Sequence, residues 1–260
     1  MIRLALFVTT LLSAAPAFAI SKGHYARGRQ TLAIAMSEDG PDHYLVLTPD
    51  CYDRAPLSRH YEREERTDNF YAHASVVAAI REVAKQVRTD HPEAGRFAVG
   101  ELSNKRGGKI PFHLSHQNGL DVDIGYLVRT RAPHPVPLCH DGPRYEVKVR
   151  GEWRVRGDLP LDLNWAMVSA FAARDDVRSI FVGGVIRRAL EDWAKAAQVP
   201  ARERRRTMKK LIATFCRAPK GVQMGTYRNN RCPHDDHIHV RFHCPADSPD
   251  CTERRKKRST

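Results

Sequence analysis

Two segments of the chain alternate apolar and polar residues with a period of two, the pattern of a strand whose one face lies in a core. In Asp121-Val122-Asp123-Ile124 the two carboxylates share a face of a half-buried strand. In His237-Ile238-His239-Val240-Arg241-Phe242 two imidazoles and a guanidinium share a face, and the other face is apolar. Elsewhere the spacing is helical. His73 to Arg88 carries Val76, Val77, Ile80, Val83, Ala84 and Val87 on one stripe, which predicts a helix with a buried face, closed by Pro92 and Gly95. Asn164 to Ala173, with Trp165, Val168 and Ala172 on one side, and Val185 to Ala196, with Ile186, Ala189, Leu190 and Trp193, predict two more. Short apolar runs at Tyr44–Leu47, Phe97–Gly100 and Ile180–Val182 read as strands, and Tyr145–Val149 with Trp153–Val155 as a hairpin across Arg150-Gly151-Glu152. Strands separated by helices, with the polar residues of interest on one sheet face, predict an α+β domain. Trp165 and Trp193 fit core positions better than sugar-stacking platforms.

The remaining stretches are loops or termini. Ser103 to Gly108 is a basic, Gly-rich loop that delivers the chain to His113, and it reads as a connection before an anion contact. Pro133, Pro135, Pro137 and Asp141-Gly142-Pro143 predict an irregular excursion that walls a cleft. Met1 to Ala19, with Arg3, an apolar run and Ala17-Phe18-Ala19, reads as a cleaved export signal. The apolar run is too short to span a bilayer, and no later one approaches ~20 residues, so no transmembrane segment is expected. The organisation expected is a signal over 1–19, an extension without an assignable role over 20–49, a domain over 50–251 and a basic tail over 252–260.

Export changes how the cysteines read. Cys51, Cys139, Cys216, Cys232, Cys244 and Cys251 are six, an even number that suggests three disulfides in an oxidising compartment. No Cys-x-x-Cys occurs, which speaks against a thiolate zinc site or a dithiol redox motif. The formal net charge is +13, concentrated in Arg202 to Lys210 and Arg254 to Arg258. Basic runs attract polyanions, and a solvated face is an equally good account. Neither run is interleaved with aromatics and no reading helix is evident, so nucleic acid is not an expected partner.

The strand faces hold the candidate chemistry. A catalytic zinc ion takes three His, Asp or Glu ligands at about 2.0–2.2 Å and keeps a position for water, whose pKa it lowers from ~16 toward ~7. His116, Asp123 and His239 supply such a set, with His116 folded back from a loop before Gly119. His237, two residues from His239 on the same face, is placed to exchange a proton or stabilise an oxyanion. Asp121 fits either a carboxylate that orients an imidazole or a turn-capping residue.

These strings also resemble a known family. Ser115-His116-Gln117-x-Gly119-Leu120-Asp121-Val122-Asp123-Ile124, preceded by His113, is similar to the penicillin-insensitive murein endopeptidases of the lysostaphin, D-alanyl-D-alanine peptidase and hedgehog superfamily. So are Ile180-Phe181-Val182 before a helix and His237-x-His239-Val240-Arg241-x-x-Cys244-Pro245-Ala246-Asp247-Ser248-x-x-Cys251. The resemblance runs from about Tyr71 to Cys251. It implies a small antiparallel central sheet flanked by helices and long loops, zinc as cofactor on His116, Asp123 and His239, and His237 as base or transition-state stabiliser. It matches His234 to a further active-site histidine, and His113 to one that contacts substrate, supports a ligand or holds an extra metal. It implies a Cys244–Cys251 bridge; the other four cysteines then allow three pairings, of which Cys216–Cys232 with Cys51–Cys139 is the one expected. The implied activity is hydrolysis of D-alanyl to meso-diaminopimelyl cross-links in peptidoglycan, in the periplasm. A metal-dependent D-Ala-D-Ala carboxypeptidase and a non-catalytic zinc-containing wall-binding module are the alternatives, and the sequence leaves monomer or homodimer open.

Overall fold

The computed structural model describes residues 33–35, 45–47, 70–108, 115–129, 145–214, 234–248 and 251. His113, Cys51, Cys139, Cys216, Cys232, the Pro133–Pro143 excursion, the signal and the basic tail lie outside the described residues. Ten strands and four helices occur among the described residues: β1 (Ala33–Ala35), β2 (Leu45–Leu47), β3 (Tyr71–His73), α1 (Ala74–Asp90), β4 (Phe97–Val99), β5 (Asp121–Gly125), β6 (Glu146–Val149), β7 (Glu152–Val155), α2 (Leu161–Ala173), β8 (Val177–Gly183), α3 (Gly184–Ala196), α4 (Ala201–Lys210), β9 (Leu211–Thr214) and β10 (His237–Phe242).

The fold is α+β, as the segment pattern predicts. Its central sheet has the order β2-β4-β5-β10-β8-β9. The four inner strands run antiparallel, which matches the sheet that the resemblance implies. Beyond them β2 adds parallel to β4 and β9 parallel to β8, so the whole sheet is mixed. Separate ribbons pair β1 with β3 and β6 with β7. Two short pieces of the N-terminal stretch, β1 and β2, are therefore built into sheets.

Local chemistry explains the element ends. His73 caps α1, its Nδ1 accepting from the Ser75 amide at 3.3 Å, which satisfies one of the orphan donors at a helix start. The apolar stripe of α1 is buried from Val76 to Val87, as its spacing predicts. The β6–β7 turn places Arg150 at φ 50° and Gly151 at φ 89°, the two left-handed residues of a tight hairpin turn. Gly183, the last residue of β8, stands at the N-cap of α3 without a capping side chain of its own, and a Cβ there would collide with Glu146 Oε1. That carboxylate supplies the cap from β6, accepting from the amides of Val185 at 2.7 Å and Ile186 at 3.2 Å. Trp165 is buried with Nε1–H donated to Glu203, and Trp193 packs against the same core.

Two features depart from the pattern. The run Arg202–Lys210 folds as α4 and leads into β9, although it lacks an apolar stripe, because Glu203, Thr207 and Met208 supply the inward contacts. β5 is buried on both faces rather than half-buried. Its polar face is covered by the loop that carries His116, so the two carboxylates lie inside the protein.

Candidate metal centre

The register of the two central strands sets His239 directly opposite Asp123, and Arg241 opposite Asp121. Period two then puts these four side chains on one face, while Val122, Ile124, Ile238 and Val240 are completely buried on the other. His116 reaches this face from a loop in which His116 has φ 62° and Gly119 φ 70°. A left-handed backbone at a non-glycine residue is uncommon, and here it turns the imidazole back onto β5 and β10.

His116 Nε2 lies 3.1 Å from His239 Nδ1 and 3.3 Å from Asp123 Oδ2, and His239 Nδ1 lies 2.9 Å from Asp123 Oδ1. All three residues are buried, with one ligand atom each inside a 4.8 Å cluster. The outward nitrogens decide what the inward ones carry. His116 Nδ1 lies 3.0 Å from the Leu102 carbonyl, and His239 Nε2 lies 2.8 Å from Asp121 Oδ1. Both partners only accept, so both outward nitrogens hold hydrogens and, in the neutral rings, both inward nitrogens present lone pairs. Two lone pairs and a carboxylate converging in a buried space repel one another unless a cation or proton lies among them. The donor set therefore fits a metal ion that takes nitrogen and oxygen ligands.

Electrostatics repeat the point. Burial opposes charge on His116, yet the carboxylate of Asp123 outweighs it and raises the imidazole to about 9. Asp123 is held well below the usual carboxylate range, its burial outweighed by His116 and His237. Asp121 is depressed likewise, against burial, by its bond to His239 and by Arg241, whose Nε donates to the same Oδ1 at 2.6 Å.

His237 Nε2 stands 3.7 Å from Asp123 Oδ1, and its Nδ1 is held by Asp236 Oδ1 at 2.6 Å. Burial disfavours its charge, but Asp123 and Asp236 raise it to about 9. His234, at φ 63°, stacks on Phe181 with ring centroids 6.0 Å apart and lies 5.1 Å from the His237 ring. Its Nδ1 meets Thr214 Oγ1 at 3.0 Å, and that hydroxyl donates to the Val182 carbonyl at 2.9 Å. The hydroxyl proton is thus committed, so His234 Nδ1 donates and its Nε2 carries the lone pair. Burial first, then the charge of His237, pushes His234 well below an ordinary histidine. Its carbonyl is pinned by the Tyr126 hydroxyl at 3.0 Å and the Gly183 amide at 3.1 Å.

The structure thus gathers five of the six residues singled out from the sequence: His116, Asp123, His234, His237 and His239. The sixth, His113, is among the undescribed residues. Three supporting residues were not assigned from sequence. Asp236 and Thr214 orient His237 and His234, and Arg241 steadies Asp121, which orients His239 rather than capping a turn. Arg241 was legible as sharing the His237 and His239 face, whereas Thr214 stands at the end of a strand no pattern marked.

A family model described as penicillin-insensitive murein endopeptidase matches residues 57–210. The chain belongs to that family. The matched span contains His116 and Asp123 and stops before β10. A penicillin-insensitive murein endopeptidase of Pectobacterium atrosepticum is 27% identical over 201 residues, covering 71% of this chain and 56% of that protein. One of Escherichia coli O1:K1 / APEC is 25% identical over 219 residues, covering 77% of this chain and 65% of that protein. The chain therefore spans less than two thirds of the length of these relatives. One disulfide is present among the described residues, Cys244–Cys251, with Cα atoms 5.6 Å apart. It closes the loop whose Asp247 reaches His73 Nε2 at 3.3 Å, tying the end of β10 to the start of α1.

Proposed function

We propose that the protein is an exported zinc metallopeptidase that hydrolyses D-alanyl to meso-diaminopimelyl cross-links of peptidoglycan in the periplasm. The observation that carries this reading is the buried convergence of His116 Nε2, Asp123 and His239 Nδ1, with both outward nitrogens already committed as donors. These three residues would hold the ion. Zinc bound there supplies Lewis-acid polarisation of a carbonyl and lowers the pKa of water toward neutrality.

The other residues act around that centre. Asp236 on Nδ1 directs His237 Nε2 toward the Asp123 side, where it holds a proton that can be given to the leaving amine or can stabilise an oxyanion. His234, kept neutral and in one tautomer by Thr214, presents an accepting nitrogen beside it. Asp121, clamped by Arg241, keeps His239 turned with Nδ1 inward. Among the described residues no serine takes part in this arrangement, in keeping with a hydrolase that β-lactams do not acylate. The proposed chain organisation is a signal over residues 1–19, an extension to 49, the peptidase domain over 50–251 and a basic tail.

Metal analysis before and after chelation, run beside turnover of defined cross-linked and uncross-linked muropeptides, tests the reading. One zinc per chain, release of monomers from dimers, and loss of both in His116→Ala are the expected results. Zinc without turnover, unaltered by His237→Ala, would make the protein a binding module. Removal of terminal D-alanine alone would make it a carboxypeptidase.

A further inference from the structure

α4 carries a feature that the metal centre does not use. Its exposed residues include Arg202, Arg205, Arg206 and Lys209, spaced i, i+3, i+4 and i+7, so they form one stripe along a single helix face. At 1.5 Å per residue the stripe is about 10 Å long. Its only acid, Glu203, is turned inward to accept from Trp165 Nε1 at 3.0 Å. None of the four cations makes an ion pair with another described residue. The neighbouring α3 is built in the opposite way, with Glu191 and Asp192 answering Lys195 at 3.0 and 3.7 Å. Repulsion along α4 is therefore uncompensated by any ion pair among the described residues. At the end of the helix Lys210 turns away, its ammonium donating to the Arg174 carbonyl, and its pKa is lowered by burial and further by Arg206 and Lys209, against the pull of Asp175 and Asp176.

We infer that the Arg202-Arg205-Arg206-Lys209 stripe of α4 is a docking surface for the carboxylate-bearing polymer itself, separate from the metal centre. The inference rests on the proposed function for the identity of the polymer. α4 runs straight into β9, and Leu211 and Thr214 at its two ends are about 10 Å apart. Thr214 touches His234, so α4 is joined to the site through one short strand, and the stripe can hold one part of a large network while another part is cut. Binding at two points raises the effective concentration of cleavable bonds without changing the chemistry at any one of them. An anionic membrane fits the stripe less well, because the exposed face offers no large apolar side chain to insert. Nucleic acid fits less well, because Arg202 to Lys210 contains no aromatic residue on which bases could stack.

The test compares the full-length protein with a variant carrying Arg202→Gln, Arg205→Gln, Arg206→Gln and Lys209→Gln. A control loses equal charge elsewhere through Lys85→Gln, Lys148→Gln, Arg150→Gln and Arg154→Gln. Glutamine preserves helix propensity, and circular dichroism checks that both variants fold. Pelleting with purified peptidoglycan sacculi is expected to fall about fivefold or more in the α4 variant at low salt. It should stay near the parent's in the control, and should weaken for the parent as NaCl rises from ~0.05 to ~0.3 M. Turnover of a small soluble cross-linked dimer should be the same in all three. Equal pelleting of parent and α4 variant overturns the inference, as does an equal loss in the control. Parent binding to phosphatidylglycerol vesicles or duplex DNA, but not to sacculi, also overturns it. If the parent cleaves no soluble dimer, the proposed activity falls, and the pelleting comparison still decides the docking surface.

Discussion

Replacing Asp121 with asparagine isolates how much of the metal affinity comes from a residue that would never touch the ion. A single oxygen, Asp121 Oδ1, receives both the His239 Nε2–H at 2.8 Å and the Arg241 Nε–H at 2.6 Å. Asparagine keeps an oxygen of the same shape at that place, so both hydrogen bonds can persist while the negative charge is lost. His239 then becomes a weaker electron donor and less strictly held in the tautomer with Nδ1 free. Loss of such a carboxylate behind a ligating imidazole costs about 10–100-fold in metal affinity, or ~1.4–2.7 kcal/mol. Arg241, 8% exposed, also loses its charge-assisted acceptor, which costs about 1–2 kcal/mol of folding stability. Its stacking over Phe181 at 5.2 Å limits that loss. Titration against a chromophoric zinc chelator gives the first quantity, and thermal unfolding of the metal-free protein gives the second. An affinity within about twofold of the parent would refute the orienting role. A loss as complete as in His239→Ala would refute it from the other side, by making Asp121 a ligand.

Three further outcomes follow from the same geometry. His237→Ala is expected to leave zinc content unchanged and lower kcat by ~10²–10⁴-fold, measured on a soluble dimer; loss of the metal would make His237 a ligand instead. In the metal-free protein the raised imidazoles of His116 and His237, each at about 9, add stability that is complete below their ordinary 6.5 and is lost as pH rises through about 9. Each contributes at most ~3 kcal/mol, and the two share Asp123, so the sum is smaller. The lowered Asp123 works in reverse, adding stability above the ordinary carboxylate range that is lost in acid. His234, held well below 6.5, makes stability fall as pH drops under that value, so the melting temperature of the chelated protein should peak near about pH 6.5, and a melting point that rises steadily to pH 9 contradicts this. Cys244→Ser with Cys251→Ser should cost about 2–3 kcal/mol from a loop of this length, read by urea unfolding, and should leave zinc binding intact.

What the sequence disclosed followed the reach of its physical signals. β5 and β10 were legible because each alternates strictly, and the stripe of α1 because its valines and alanines recur at helical spacing. The ligand set was legible because the same alternation that makes the strands also sorts His237, His239, Asp121 and Asp123 onto faces. Pairing between strands more than a hundred residues apart carries no local signature, so the opposition of His239 to Asp123 had to come from the resemblance and then from the structure. α4 hid behind its charge, since a helix whose inward positions are Glu203, Arg204, Thr207 and Met208 shows no apolar period. Thr214 was lost with it, because β9 is a four-residue strand that follows that run directly. Asp121 remained open between two roles until the position of the His239 ring chose one.

The site is divided between chain segments brought together by the pairing of β5 with β10, 118 residues apart at the His239–Asp121 contact. A nascent or truncated polypeptide that has not yet delivered β10 holds His116 and Asp123 but not the second imidazole. The proposed hydrolytic capacity would consequently arise only once β10 has been made and has paired with β5. A hydrolase completed in this way would have no half-built form to act prematurely.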